Sequence, residues 1–191
     1  MSMAAVILAG GKSSRMGRDK LTLELNGQTL LQSAVDRFAQ EFETVCLSVA
    51  DLSKYPQVQV HQIADIYPGA GPLSGLHAAL KQFSEVFLVA ADLPYSSPRL
   101  AKRVIELCGG HETCVIRLPD GRLEPLFGFY RSSILPRCEA AIKLKDYRMT
   151  EILQNSDTRY VSPDELGDLW AEKLLINVNY PQDYLDIKRK L

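Results

Sequence analysis

Short apolar runs alternate with amphipathic segments along most of the chain. The runs at residues 4–8, 45–49 and 86–91 are nearly all apolar, which is typical of strands that are buried on both faces. Similar runs predict further strands over residues 58–63, 113–118, 126–130 and 175–178.

Apolar residues at three- and four-residue spacing predict helices between these strands. Thr29 is suited to cap the first helix, Pro72 lies just inside the start of the second, and Gly109 follows the end of the third. The predicted helices cover residues 30–38, 72–83, 98–108, 134–142 and a short segment from residue 181.

Strands that alternate with helices predict an α/β protein with a three-layer, Rossmann-like arrangement and a mostly parallel sheet. No repeat, low-complexity tract or long linker interrupts the pattern, so residues 1–191 are expected to form a single domain. Ligands bind beyond the carboxyl ends of the strands in such sheets. The chemistry is therefore expected in the loops that follow residues 8, 63, 91 and 178.

Composition adds little charge bias to this picture. Hydrophobic residues make up 46% of the 191 residues, and 22 Lys and Arg face 23 Asp and Glu. This balance argues against a nucleic-acid partner, so a bound phosphate has to be held by local geometry. The apolar run at residues 4–8 is too short for a signal or membrane segment, and we expect a cytoplasmic protein without a membrane partner.

The four cysteines show no CxxC pair and no zinc-like spacing with histidine. We expect them to be reduced, small core residues rather than metal ligands or disulfide partners. They are Cys46, Cys108, Cys114 and Cys138.

A glycine- and cation-rich loop follows the first predicted strand, where residues 8–20 read LAGGKSSRMGRDK. Gly10 and Gly11 let backbone N–H groups approach an anion. Neither a Walker loop, which would need glycine at Val6, nor GxGxxG spacing is present. The alternative to a phosphate loop is a solvated surface turn. The cations that could meet the charge of a triphosphate are Lys12, Arg15, Arg18 and Lys20.

Asp92 comes directly after the apolar strand predicted at residues 86–91. A carboxylate in this position is costly unless a cation or hydrogen-bond donors meet it. Mg²⁺ prefers one or two protein carboxylates together with phosphate oxygens and waters, so a single Asp is sufficient to hold it. The alternative is an Asp that only caps the turn before Pro94.

The polar residues in the two remaining loops are less specific. Asp65 precedes a glycine-rich segment, where it either meets a ligand or stabilises the turn. Asn177 and Asn179 alternate along a predicted strand end, so both side chains would project to one face, which suits acceptor or metal–water contacts. Two amides in such a position are also common turn formers.

The loop at residues 8–20 resembles the LAGGxSxRMGxDK signature of the nucleotidyltransferases that make the molybdenum guanine dinucleotide cofactor, the molybdenum cofactor guanylyltransferase family. Four further segments resemble motifs of that family in the same order. They are residues 65–75 (D…GPLxG), 91–94 (a DMP-like motif), 124–127 (EPLF) and 177–183 (NxNxPED-like).

The resemblance implies a Rossmann-like nucleotidyltransferase that transfers GMP from GTP to molybdenum-loaded molybdopterin, with Mg²⁺ as cofactor. Backbone groups of the loop would line the GTP site, Asp65 would contact the nucleoside, and Asp92 would bind Mg²⁺. Lys20 and Arg15 would neutralise phosphate charge during catalysis, and the acceptor would meet Asn177 and Asn179. The backbone groups implied at the GTP site are those of Leu8, Ala9, Gly10 and Gly11.

Alternatives and departures remain beside this interpretation. A cytidylyltransferase acting on molybdopterin or on a sugar or polyol phosphate would use the same chemistry, and a nucleotide-binding partner protein without turnover is a third hypothesis. The presence of both Lys20 and Asp92 argues against that third hypothesis. The asparagine that many relatives carry after the second strand is missing from residues 48–51, and Tyr180 and Gln182 replace the usual Thr and Glu. The resemblance also implies transient contact with proteins that deliver or receive the cofactor.

Overall fold

The computed structural model describes residues 2–10, 19–25 and 27–189, and a seven-stranded sheet forms the centre of this part of the chain. The strands are β1 (Met3–Leu8), β2 (Glu24–Leu25), β3 (Gln28–Thr29), β4 (Val45–Val49), β5 (His61–Ala64), β6 (Glu85–Ala90), β7 (Thr113–Arg117), β8 (Leu123–Arg131) and β9 (Thr158–Val161). The order in the sheet is β5-β4-β1-β6-β8-β7-β9, and β2 and β3 form a separate small hairpin. Strand β8 pairs antiparallel with both β6 and β7, whereas every other pairing in the large sheet is parallel.

Helices cover both faces of the sheet, which confirms the predicted three-layer α/β fold with a mostly parallel sheet. The helices are α1 (Leu30–Ala39), α2 (Pro72–Leu80), α3 (Pro98–Cys108), α4 (Leu135–Lys143), α5 (Met149–Gln154), α6 (Pro163–Leu166) and α7 (Pro181–Arg189). Short 3₁₀ turns cover Lys20–Thr22, Ser132–Ile134, Gly167–Leu169 and Glu172–Leu175. None of the helices in the described ranges is long and apolar enough to cross a membrane.

The unbroken apolar run of β1 serves two cores at once. Ala5 and Ile7 pack with α1 and α3 on one face of the sheet, while Ala4 and Val6 pack with α2, α4 and α5 on the other. Successive side chains of a strand point to opposite faces, so a strand covered on both sides is apolar at nearly every position.

A third, smaller core joins residues 23–30 to the C-terminal segment, residues 176–189. Leu23, Leu25 and Leu30, from the hairpin region and the start of α1, pack against Val178 and Ile187. The hydroxyl of Tyr184 on α7 also donates a hydrogen bond to the carbonyl of Glu24 (2.7 Å). This terminal core, as we call the cluster of these five apolar residues, holds the C-terminal segment against the region that follows the glycine-rich loop.

Local signals account for the elements that were predicted well. The Thr29 hydroxyl accepts a hydrogen bond from the N–H of Gln32 (3.1 Å), as expected for the cap of α1. Helix α3 ends at Gly109, which has a positive φ of 55°. All four cysteines are buried core residues, as predicted.

Other boundaries differ from the predictions. Helix α2 ends at Leu80 rather than at residue 83, because the following N–H groups bond back in tighter turns, as when Gln82 donates to the Ala79 carbonyl (2.9 Å). Strand β5 begins at residue 61 rather than 58, because the N–H of Val58 donates to Tyr55 within a local turn (3.1 Å).

The strand predicted over residues 175–178 was wrong. A 3₁₀ turn occupies Glu172–Leu175, and the N–H of Val178 donates to the carbonyl of Asp92 (3.0 Å) rather than to a neighbouring strand. Val178 is apolar because it is fully buried in the terminal core, and a single buried position of this kind can be mistaken for part of a strand.

Candidate active site

The carboxyl ends of β5, β4, β1 and β6 lie along one edge of the sheet, because these four strands are parallel neighbours. One backbone hydrogen bond extends the ladder past the end of each of β1, β5 and β6. The N–H of Ala9 donates to Ser48, that of Asp65 to Val49 and that of Ala91 to Leu8, at 2.9, 2.9 and 3.1 Å. The loops that carry the predicted site residues therefore begin from fixed positions on the same edge.

These bonds also refine the roles expected of the first loop. The N–H of Ala9 is already used by Ser48, and the carbonyl of Leu8 accepts from Ala91. The remaining backbone group of Ala9 is its carbonyl. Gly10 is exposed at the same edge, while Gly11 and Arg15 lie outside the described residues.

Three of the predicted residues, Lys20, Asp92 and Asn179, meet at the ammonium group of Lys20. Its Nζ donates to Asp92 Oδ2 at 2.5 Å, to the carbonyl of Val178 at 2.9 Å and to Asn179 Oδ1 at 3.2 Å. The side chains of Lys20 and Asp92 are 18% and 17% exposed, so this ion pair is shielded but can be reached by a ligand. The lysine thus links the loop after β1, the loop after β6 and the C-terminal segment.

Asp92 has one carboxylate oxygen left over from this arrangement. Its Oδ1 is buried and makes no hydrogen bond to the described part of the protein. A buried oxygen of an ionised carboxylate is unfavourable unless a cation or a donor reaches it. No group of three or more His, Cys, Asp or Glu residues is placed to hold a metal within the described ranges. A cation at Asp92 would therefore take most of its ligands from phosphate and water, which is the habit of Mg²⁺.

Asp19 fixes the turn that carries Lys20. Its carboxylate accepts hydrogen bonds from the N–H of Leu21 (3.1 Å) and the hydroxyl of Tyr55 (2.6 Å), and Lys54 Nζ lies 3.0 Å away. Burial acts to raise the pKa of Asp19, but the contacts with Tyr55, Lys54 and Leu21 outweigh it and lower the pKa. The carboxylate is therefore well stabilised in its charged form, and its three contacts hold the turn from which the Lys20 side chain extends.

Asp65 lies at the end of β5, two strands from β1, which corresponds to roughly 10 Å. Burial raises its pKa, while a hydrogen bond with the hydroxyl of Ser74 acts in the opposite direction. That hydroxyl also accepts from the N–H of Tyr67 (3.2 Å), so Asp65 and Ser74 together hold the glycine-rich loop at the start of α2. The turn-stabilising role is thus present, and the predicted nucleoside contact remains a prediction.

Gly75, in the first turns of α2, lies close to the ends of β1 and β4. A Cβ atom there would lie 2.4 Å from Ser48 Oγ and 2.6 Å from Leu8 Cδ2. Helix α2 consequently rests directly on the carboxyl ends of β1 and β4.

An open cleft of about 800 Å³ lies beside Asn179, although neither Lys20 nor Asp92 lines it. Asn179, which accepts from Lys20, lines it together with Asn177, so the two amides share one space although no strand holds them. Burial raises the pKa of Glu124 in its wall, with Arg122 lowering it and Asp120 raising it. The sequence analysis assigned no role to Glu124, although the motif at residues 124–127 contains it. Further lining residues are Arg122, Trp170, Glu172, Tyr180 and Asp183.

Comparison with known proteins identifies the family of the chain. The family described as MobA-like NTP transferase domain matches residues 5–160. A probable molybdenum cofactor guanylyltransferase from Carboxydothermus hydrogenoformans is 32% identical over 186 residues, which cover 96% of this chain and 93% of the relative. The molybdenum cofactor guanylyltransferase from Rhizobium johnstonii is 31% identical over 200 residues, covering 99% and 93%.

Solved structures share the fold. Molybdopterin-guanine dinucleotide biosynthesis protein A from Archaeoglobus fulgidus superposes with a TM-score of 0.87 at 22% identity, covering 98% of this chain and 100% of that one. The 2-C-methyl-D-erythritol 4-phosphate cytidylyltransferase from Thermus thermophilus superposes with a TM-score of 0.69 at 14% identity, covering 97% and 96%. Proteins named guanylyltransferase and cytidylyltransferase are thus both similar to this chain, and the fold alone does not distinguish their nucleotide substrates.

Proposed function

This chain belongs to the MobA-like NTP transferase family, and from that premise we propose that it transfers GMP from GTP to molybdenum-loaded molybdopterin, releasing pyrophosphate. The observation that carries the proposal is the convergence of Lys20, Asp92 and Asn179 at the carboxyl edge of the sheet. This convergence combines a cation for phosphate, a carboxylate with an unused oxygen, and an amide that opens on a large cleft.

In the proposed reaction, a terminal phosphate oxygen of the acceptor attacks the α-phosphorus of GTP in line. The bond from the α-phosphorus to the bridging oxygen breaks, and pyrophosphate leaves with that electron pair. A phosphate oxygen is already anionic at neutral pH, so the protein has to position two anions and neutralise their charge rather than remove a proton.

Lys20 supplies part of that neutralisation. Its three N–H groups already donate to Asp92, Val178 and Asn179, so binding of the triphosphate would exchange one of these contacts for a phosphate oxygen. Arg15 and the N–H groups of Gly10 and Gly11 are assigned to the same triphosphate, and Asp65 to the nucleoside. Leu8 and Ala9 would border the nucleotide through their backbone.

Asp92 is the residue that would hold Mg²⁺, because its buried Oδ1 is the oxygen that needs a cation. When bound there, Mg²⁺ would stabilise charge on the triphosphate and on the departing pyrophosphate. Asn177 and Asn179 would orient the acceptor in the cleft. We further propose that residues 1–191 act as one nucleotidyltransferase domain in the cytoplasm, with transient contacts to proteins that deliver or receive the cofactor.

The test is pyrophosphate release by the purified chain with each of the four nucleoside triphosphates, with and without molybdenum-loaded molybdopterin. We expect release that requires GTP, the acceptor and Mg²⁺ together. A rate that is higher with CTP would move the assignment to a cytidylyltransferase. Tight nucleotide binding without release under any combination would support a binding protein instead.

A further inference from the structure

Arg37, near the end of α1, lies directly behind the loop that begins with Asp92. All three nitrogens of its guanidinium donate hydrogen bonds. Nε donates to the carbonyl of Ser96 (3.1 Å), Nη2 to the carbonyl of Leu93 and to Ser96 Oγ (both 3.1 Å), and Nη1 to Ser33 Oγ (3.1 Å). One side chain thus holds both ends of the turn from Leu93 to Ser96.

The turn itself is tightly bonded. The carbonyl of Leu93 accepts from Arg37, from the N–H of Ser96 (3.1 Å) and from the hydroxyl of Ser96 (2.9 Å). On the opposite side, the carbonyl of Asp92 accepts from the N–H of Val178 (3.0 Å). The backbone is therefore held on both sides of the Asp92 side chain, by Arg37 through the carbonyl of Leu93 and by Val178 through the carbonyl of Asp92 itself.

The hydrogen-bond acceptors of Arg37 in the described part of the chain are all uncharged carbonyl and hydroxyl oxygens. In the described part of the chain, no carboxylate lies within ion-pair distance of Arg37, although the side chain is partly buried and its burial lowers its pKa. A partly desolvated charge without a counter-ion costs free energy. The guanidinium fork, by contrast, reaches two carbonyls and two hydroxyls at once, which an ammonium or an amide cannot do.

We infer that Arg37 is a positioning residue for Asp92, holding the turn after β6 so that the Asp92 carboxylate meets the metal ion of the bound nucleotide. The inference rests on the proposed function, in which Asp92 is the metal carboxylate. Residues that orient a metal ligand commonly change metal affinity by 10- to 100-fold when they are replaced.

The experiment compares Arg37→Ala and Arg37→Lys with the parent chain. Mn²⁺ binding is titrated by electron paramagnetic resonance in the presence of GTP, and GTP binding without metal is measured by calorimetry in chelator. We expect both variants to weaken Mn²⁺ binding by about tenfold and to leave metal-free GTP binding within about twofold. The Mg²⁺ concentration for half-maximal pyrophosphate release should rise in parallel.

Arg131→Ala is the matched control. Arg131 also donates to two loop carbonyls, those of Gly109 (2.9 Å) and Gly110 (3.2 Å), but it pairs with Glu85 at the opposite end of β6. That end lies roughly 20 Å from Asp92. The control should lower the thermal midpoint and leave Mn²⁺ binding unchanged.

Unchanged Mn²⁺ binding in both Arg37 variants, with a parent chain that binds Mn²⁺ and turns over, would overturn the inference alone. A parent chain that binds no Mn²⁺ with GTP and releases no pyrophosphate would overturn the proposed function and the inference with it. Arg37→Lys keeps the charge and the aliphatic stem, so it answers the question even if Arg37→Ala does not fold.

Discussion

At the scale of single residues, the two carboxylate oxygens of Asp92 have different surroundings. The side chains of Lys20 and Asp92 touch through Oδ2, while Oδ1 of Asp92 is buried without a partner in the described ranges. A contact between opposite charges explains why both can be shielded from water, and the unused oxygen explains why the pair alone does not satisfy the carboxylate. This unused oxygen is the atom at which we propose that Mg²⁺ binds.

Replacing Asp92 by Asn tests this directly. The amide keeps the size of the side chain and can still accept from Lys20, so the fold should persist. An amide oxygen is a poorer ligand for a hard cation, and we expect kcat to fall roughly a hundredfold or more with a higher Mg²⁺ requirement. Pyrophosphate release across a Mg²⁺ titration is the measurement. Asp146→Asn, which breaks a surface pair with Arg148, is the control that should leave both values unchanged.

Asp65 gives a prediction about stability, in which replacing the residue stabilises the fold. Burial raises its pKa above the unfolded value of about 3.9, so the ionised form is disfavoured by folding. This penalty is present at pH values above the folded pKa and disappears as the pH falls below the unfolded pKa. Asp65→Asn removes the charge and keeps an acceptor for Ser74, so its thermal midpoint should exceed that of the parent by roughly 1–3 °C at pH 7.

The advantage of Asp65→Asn should shrink as the pH falls towards 4, while stabilisation by GTP should be weaker at every pH. Thermal unfolding between pH 4 and pH 8, with and without GTP, measures both effects. A variant that is less stable than the parent at pH 7 would show that the carboxylate bond to Ser74 outweighs burial.

At the scale of elements, the placement of α2 depends on how closely it approaches the sheet. Gly75 faces the ends of β1 and β4 so tightly that a methyl group would overlap with Ser48 and Leu8. Ser48 is buried and cannot move aside easily, so α2 would have to shift.

We therefore expect Gly75→Ala to lower the free energy of unfolding by about 1–3 kcal/mol, measured by urea unfolding. Gly110→Ala serves as the comparison, because a Cβ atom at Gly110 would meet nothing within 4 Å. Equal stability of the two variants would mean that α2 can adjust without cost.

The elements that the sequence predicted well are those with local causes. Strand β4 has the predicted bounds, and α1 begins after the predicted Thr29 cap, because apolar periodicity and capping act within a few residues. The direction of β8 and the existence of β9 were not predicted. Buried strands look alike whichever way they run, and β9 depends on pairing with β7 across 45 positions of the sequence, as in the bond between Thr113 and Thr158.

The site shows the same division. Lys20 and Asp92 could be named from the loops that follow strands, and Asn179 from motif resemblance although the strand predicted before it is absent; the structure brings the three together. Tyr55 and Arg37 could not be named. Tyr55 contacts Asp19, which lies 36 positions away in the sequence, and Arg37 contacts Leu93 in the turn after β6, which lies 56 positions away. Such contacts exist only once distant segments are folded together.

At the scale of the whole molecule, a ligand that binds only the folded chain raises its free energy of unfolding with the logarithm of the ratio of ligand concentration to Kd. A ligand at a hundred times its Kd adds about 2.7 kcal/mol, which corresponds to roughly 5–10 °C in the thermal midpoint for a chain of this size. With Mg²⁺ present, we expect GTP to raise the midpoint more than CTP, ATP or UTP at matched concentrations. A shift with CTP that equals or exceeds the shift with GTP would favour the cytidylyltransferase hypothesis.

The bond from Lys20 to the carbonyl of Val178 spans 158 positions of the sequence, and the terminal core spans a similar distance. A chain still emerging from the ribosome folds from its N-terminal part and exposes Lys20 and Asp92 long before Val178 and Asn179 have been made. Until then, Leu23, Leu25 and Leu30 have no apolar cover from Val178 and Ile187, and the lysine lacks two of its three named contacts. The three named contacts of Lys20 are thus complete only after the segment that carries Val178 and Asn179 has been synthesised.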